Sequence, residues 1–268
     1  MKTALIALAA AVLAAAPATA ERIDRDALGA LPEADVVILG EVHDNPHHHD
    51  NQAAAVEALA PAALVFEMLT EDQAARATPE LMTEPDALGE ALGWAESGWP
   101  DFSLYAPIFA AAPEAQVHGA AVPRDALRDV VRGEGELPVD AARWGLDQPL
   151  PEAQQGRREE MQAEAHCNAM PEEMMPGMVR AQRVRDAALA RAALAASEET
   201  GGPVVVITGN GHARTDWGVP DKLAHAAPDV SVLSIGQLES APGEEAPYDL
   251  WLVTPEAERP DPCAAFQN

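Results

Sequence analysis

The chain has 268 residues, of which 48% are apolar, and a formal charge of −27 at neutral pH. That apolar share excludes wholesale disorder, and the length suits one domain of the larger kind. The acidity excludes nucleic acid and anionic membrane surfaces as main partners, and its ordinary meaning is solubility.

Met1-Lys2-Thr3 is a short positive start, Ala4 to Ala16 is an uncharged apolar run, and Ala18-Thr19-Ala20 has the small-x-small form of a cleavage site. The run is shorter than the ~20 residues that span a bilayer. The expectation is therefore a cleaved export signal over 1–20, a periplasmic or secreted product running from Glu21, and no stable membrane insertion. No cysteine lies at the cut, so there is no lipobox.

Beyond the signal, Asp35 to Leu39 reads as a strand buried on both sides, ending at Gly40. Asn45-Pro46 caps a helix over 47–59, with the asparagine as N-cap and the proline in the first turn. Ala62 to Met68 is a second buried strand, followed by helices over 86–97 and 104–112 and a third strand over 116–122. A helix over 125–132 precedes an irregular, Gly/Pro-punctuated stretch over 133–151. From Pro151 to Ser197 the pattern is helical, interrupted at Pro171 and Pro176. Strands over 203–208, 230–235 and 248–253 close the chain, with a helix over 219–226 among them. Strands alternating with helices predict an α/β fold, a central and mostly parallel sheet flanked by helices. No linker divides it, so 21–268 is expected to be one domain, with a helical insertion over about 134–197 capping the carboxyl edge of the strands.

Ligands of open parallel sheets bind outside the carboxyl ends of the strands. Three predicted strand ends bring Glu41 and His43, Glu67, and His212 to that edge, two of them in matching frames, Gly40-x-x-His43 and Gly209-x-x-His212. The glycines would let the chain turn off the strand. Two imidazoles and two carboxylates can hold a divalent metal, act as a base with its orienting acid, or place a histidine at haem iron. Each alone is as well explained as a helix cap; it is their convergence that points to a site. The His47-His48-His49 run falls on a first helical turn, where successive side chains diverge by about 100°. At most one, with Gln52, is expected to face the site, and the others are expected in solvent.

His166, Met170, Met174 and Met178 are spaced by four. They suit adaptable packing or the walls of an apolar ligand better than a copper carrier. Arg157, Arg158, Arg180, Arg183, Arg185 and Arg191 cluster in the same region and either pair with the abundant acids or meet ligand carboxylates. Cys167 and Cys263 are the only cysteines; in an exported protein they read as a disulfide rather than two buried thiols.

Taken together, Gly40-Glu-Val-His-Asp-Asn-Pro-His48, Glu67, Gly98-Trp-Pro, Tyr105-x-Pro107, His166-Cys167, Ala181-Gln-Arg with Arg185-Asp186, Gly209-Asn-Gly-His-Ala-Arg-Thr-Asp-Trp-Gly-Val-Pro220 and Asp261-Pro-Cys263 resemble the ChaN-like haem-binding family. That family is part of the Tiki/TraB/erythromycin-esterase-like superfamily, and the resemblance runs from about 35 to 263. It implies an exported haem-binding protein of haem or iron uptake, with a haem-uptake receptor and a second copy of the chain as candidate partners. The residues it implies near haem are His43, His48, Tyr105, His166, His212 and Arg214. The wider superfamily implies instead a hydrolase of esters or amides that uses Glu41, His43, Glu67 and His212, with or without a divalent metal.

Overall fold

A computed structural model describes residues 20–243, 246–261 and 263–264; the expected signal up to Thr19 lies outside them. Seven strands form one sheet: β1 (Glu21–Arg22), β2 (Val36–Glu41), β3 (Ala63–Phe66), β4 (Gln116–Gly119), β5 (Val204–Gly209), β6 (Val232–Leu238) and β7 (Leu250–Val253). Their order is β1-β7-β6-β2-β5-β3-β4, and every pair is parallel. The helices are α1 (Pro46–Leu59), α2 (Glu71–Ala74), α3 (Pro79–Met82), α4 (Pro85–Leu92), α5 (Phe102–Ala111), α6 (Arg124–Arg132), α7 (Glu152–Ala165), α8 (Met175–Thr200), α9 (Asn210–Ala213) and α10 (Val219–Ala226). None is long and apolar enough, among the described residues, to cross a membrane.

The unbroken apolar runs of β2, β3 and β5 follow from cover on both faces. Val36, Ile38, Val65 and Val206 turn to one face, where they pack against Val184, Ala187 and Leu189 of α8 and Val219 and Leu223 of α10. Val37, Leu39, Leu64, Phe66 and Ile207 turn to the other, against Val56 of α1 and Ile108 and Phe109 of α5. The alanines of α8 let that long helix lie close to the strands. Its first turns and α7 extend past the strand ends and cap the carboxyl edge.

β2 continues into α1 on one face, and its neighbour β5 continues into α9 and α10 on the other. The chain thus diverges at the carboxyl ends of two adjacent central strands, which opens a crevice there.

Some local expectations shift. The third strand stops at Gly119 rather than Val122, because the chain there crosses Thr70 so closely that a Cβ would come 2.2 Å from the Thr70 carbonyl oxygen. Pro176 does not interrupt a helix; it sits in the first turn of α8, where its missing N–H costs nothing. The glycines of the two Gly-x-x-His frames do not take left-handed conformations, and Gly209 has φ −63°. They serve close approach instead: a Cβ at Gly40 would meet Asn210 Oδ1 at 2.4 Å, and one at Gly209 would meet His43 Nε2 at 2.9 Å.

Candidate functional site

The register sets Glu41 of β2 level with Gly209 of β5, and Phe66 of β3 level with Ile207. Glu41, Glu67 and Gly209 therefore end side by side. Glu41 is buried, and its Oε1 lies 2.7 Å from His43 Nδ1 and accepts the Tyr105 hydroxyl at 2.8 Å. Glu67 is buried too; it accepts from Thr208 Oγ1 at 2.6 Å, from Gly209 N at 2.8 Å and from Arg185 on α8. His212 stands 3.5 Å from Glu67 through Nε2 and 2.6 Å from Asp186 through Nδ1, and Arg158 of α7 lies 3.4 Å from the other oxygen of Asp186.

Charge alternates through this cluster. Burial pushes the Glu67 carboxyl up, but His212 and Arg185 overcome it and hold it well below the usual range. Burial does the same to Glu41, and the His43 hydrogen bond with the neighbouring imidazoles brings it below its ordinary value. Burial opposes charge on His43 and His212, yet both rise above 6.5: Glu41 and Glu67 act on His43, and Glu67 and Asp186 on His212. The carboxylates lie deepest, while His43 and Arg185 are about one-third exposed. The groups offered to a ligand are the His43 imidazole and the Arg185 guanidinium, in a chain whose net charge is strongly negative.

Three connected hollows lie above the cluster, and Arg185 lines all of them. A polar cavity of about 290 Å³ is walled by His43, Glu67, Arg158, His212 and Trp217. It opens past Gln162, His166 and Gln182 into an apolar slot of about 420 Å³ between Leu127, Val131, Met174, Met178 and Ala181. A groove of about 480 Å³ runs the other way, along Thr70, Trp99 and Arg124. Trp99 also covers the His43 ring, with centroids 4.8 Å apart.

Of the residues expected from sequence, Glu41, His43, Glu67 and His212 come together, and His166 lines the same space. The histidine run behaves otherwise than expected: His47 is exposed, but His48 and His49 are both buried. They turn to different partners. His48 accepts from Val42 N through Nδ1 at 2.8 Å and meets Thr254 through Nε2 at 2.8 Å, and burial pulls its pKa down to about 4. His49 Nε2 binds the His43 carbonyl at 2.9 Å, and its ring packs at a tilt against Tyr105. Tyr105 is fully buried, its hydroxyl spent on Glu41. Arg214 pairs with Asp216 and stacks 3.9 Å over Trp217. Among the described residues no group of three or more His, Cys, Asp or Glu is arranged to hold a metal ion. Here Glu41 pairs with His43, Glu67 with Arg185 and His212, and His212 with Asp186. The expected disulfide is present: Cys167 and Cys263 are bonded, with Cα atoms 5.5 Å apart.

Asp186, Gln182 and Trp99 carry weight that sequence reasoning missed. Gln182, Arg185 and Asp186 share one face of α8 by i, i+3 and i+4 spacing. Three polar residues on one side of an alanine-rich buried helix are the signal that could have found Gln182 and Asp186.

A family model described as haem-binding uptake, Tiki superfamily, ChaN matches residues 27–223. The solved structure of ChaN of Campylobacter jejuni, described with cofacial haem binding, superposes with a TM-score of 0.63 at 18% identity, covering 81% of this chain and 86% of that one. A mutant erythromycin esterase, EreC, in its open conformation gives a TM-score of 0.42 at 14% identity over 80% of this chain and 75% of that one. No curated protein matches the sequence. The chain belongs to the haem-binding uptake family of the Tiki superfamily that includes ChaN.

Proposed function

We propose that this protein binds haem in the crevice at the carboxyl edge of its sheet. The observation that carries this reading is an apolar slot with Arg128, Arg132 and Arg185 on its wall, opening onto a histidine-lined cavity, in a chain of net charge −27. A planar apolar macrocycle bearing two carboxylates needs both: flexible thioether and aliphatic walls for the ring, and arginines for the propionates. Arg128 and Arg132 line the slot beside Arg185, and no described carboxylate forms an ion pair with Arg128 or Arg132. Family membership supports the same ligand. When bound, the haem would supply an iron centre.

The setting we propose is an exported protein of haem or iron uptake that passes haem to a receptor, in keeping with the leader-like first twenty residues. Hemin added to the mature protein should give a shifted, saturable Soret band, weakened by Arg128→Ala with Arg132→Ala. A spectrum of free hemin alone at saturation would overturn the reading. Gel filtration with and without hemin tests whether two copies share it.

A second reading rests on the Glu41–His43 pair. An imidazole oriented through Nδ1 at 2.7 Å and one-third exposed in a cavity has the form of a general base for ester or amide hydrolysis. Because its pKa is raised, the basic form grows only above pH 6.5, so turnover should climb with pH and vanish in His43→Ala. Inertness across a panel of model esters and amides would dismiss it.

A further inference from the structure

A further cavity, of about 540 Å³, shares only Glu96 and Trp99 with the three hollows above the charged cluster. Its size is that of a small-molecule site, and the haem-binding reading makes no use of it. Its walls come from α4, the turn over 94–96, the Gly98-Trp-Pro segment and the start of α5.

The inner wall is aromatic. Trp94 is 4% exposed, its indole N–H donates to the Pro100 carbonyl at 2.8 Å, and its ring centroid lies 5.1 Å from that of Phe102. With that N–H spent, the ring has only its π face to offer a ligand. Trp99 and Phe102, both half-buried, complete the wall. Two glycines shape it. A Cβ at Gly89, inside α4, would meet Phe102 Cδ1 at 2.9 Å, and Gly93 ends that helix with φ +62°. A mid-helix glycine costs about 1 kcal/mol against alanine, and here it seats Phe102 against α4.

The rim is anionic. Asp86 and Glu90 stand one turn apart on α4, and like charges at i and i+4 repel each other. Glu96 follows in the next turn, and Asp101 caps α5. All four are exposed, and none forms an ion pair with a described cation. They do not make a metal site, since no three acids or histidines among the described residues are arranged to hold a metal ion. Aromatic faces below carboxylates suit an organic cation instead. The ring quadrupoles attract its charge, the apolar wall covers its stem, and the carboxylates accept from its N–H groups.

We propose that this cavity binds an organic cation, an ammonium or guanidinium group on an apolar stem, with the stem against Trp94 and Phe102 and the charge among Asp86, Glu90 and Glu96. This site and the haem crevice stand or fall separately. The cation arrives either as a free amine or as a basic side chain of another protein, and two pairs of probes separate these sources.

The test is a calorimetric titration of the full mature protein, paired with its tryptophan fluorescence. The first pair is phenethylammonium and its neutral analogue 2-phenylethanol. The second is a glycine pentapeptide with a central arginine and the same peptide carrying citrulline. At least one cation should bind saturably and change the fluorescence, with its neutral partner about tenfold weaker. Binding of the free amine makes the natural ligand a small molecule; binding of the arginine peptide alone makes it a partner's side chain. Asp86→Asn with Glu90→Gln, at positions that line none of the three hollows, should weaken the cation about threefold or more and leave hemin binding as in the wild type. Equal affinity for charged and neutral partners, no binding of either cation, or unchanged affinity in the double variant would overturn the assignment. A wild type that binds the cation but no hemin would overturn the haem reading alone.

Discussion

His212 Nδ1 lies 2.6 Å from Asp186 Oδ1, joining α9, directly after β5, to the middle of α8. Asp186 is fully buried and also faces Arg158, so one carboxylate serves both partners. Removing one member of such a buried set leaves uncompensated charge and costs about 3–5 kcal/mol. Asp186→Ala should therefore fold poorly, if at all, and Asp186→Asn is the informative variant. His212 has a raised pKa in the native state, so its contribution to stability is complete below about pH 6.5 and is lost as pH rises through the folded value. The Asp186→Asn deficit should accordingly be larger at pH 6 than at pH 9. Histidine titration by NMR should show His212 shifted down in the variant; an unmoved titration would refute the pairing.

His48 predicts the opposite slope. Its pKa falls from 6.5 to about 4 because burial disfavours the cation, and Nδ1 must stay unprotonated to accept from Val42 N. A histidine depressed on folding contributes stability above pH 6.5, and that contribution drains away as pH falls toward 4. A shift of that size is worth about 3 kcal/mol. His48→Asn, whose Oδ1 can replace Nδ1 as acceptor, should flatten the dependence of the urea midpoint on pH between 6.5 and 4. Equal slopes in the two proteins would show that His48 does not govern acid sensitivity.

These two histidines mark where sequence reading succeeds and where it stops. The sheet was legible because doubly covered parallel strands leave continuous apolar runs such as Val36 to Leu39, and Glu41, Glu67 and His212 were legible because they terminate such runs. The inward turn of both His48 and His49 was not. A helix wedged between the sheet edge and α5 buries more than one stripe, and composition alone does not reveal what lies on its second side. Asp186 and Gln182 were hidden for a related reason: their partners, Arg158 of α7 and His212 of α9, come from elements more than twenty residues away in sequence. The two-residue β1 and the four-residue α2, α3 and α9 are too short to show any period.

Tyr105→Phe separates a structural phenol from a ligand-binding one. Glu41 Oε1 would lose its hydroxyl donor while Oε2 already has no hydrogen bond, only His49 Nδ1 at 3.5 Å. Leaving a buried carboxylate less satisfied costs about 1–3 kcal/mol, and the Glu41 pKa should rise. Hemin affinity should stay within about twofold, since the hydroxyl lines none of the three hollows. Urea denaturation alongside hemin titration checks both statements. Unchanged stability with a large loss of hemin affinity would mean that the phenol meets the ligand.

The Cys167–Cys263 bond closes a loop of 96 residues in sequence separation and ties the tail to the end of α7. Chain entropy alone gives ~4.7 kcal/mol for a loop of about that length, and measured losses on removing native disulfides run from about 2 to 5. Cys167→Ala with Cys263→Ala should lower unfolding stability within that range. The loss should be local as well as global. Freed from the tail, the residues beside His166 should exchange amide hydrogens faster, while the β2 and β5 amides keep most of their protection, because their cover comes from α1, α5 and α8 on the two faces. Hydrogen exchange of the variant read against the wild type decides it. Uniform loss of protection across the sheet would show that the bond stabilises the whole fold and does not specifically anchor the α7 end.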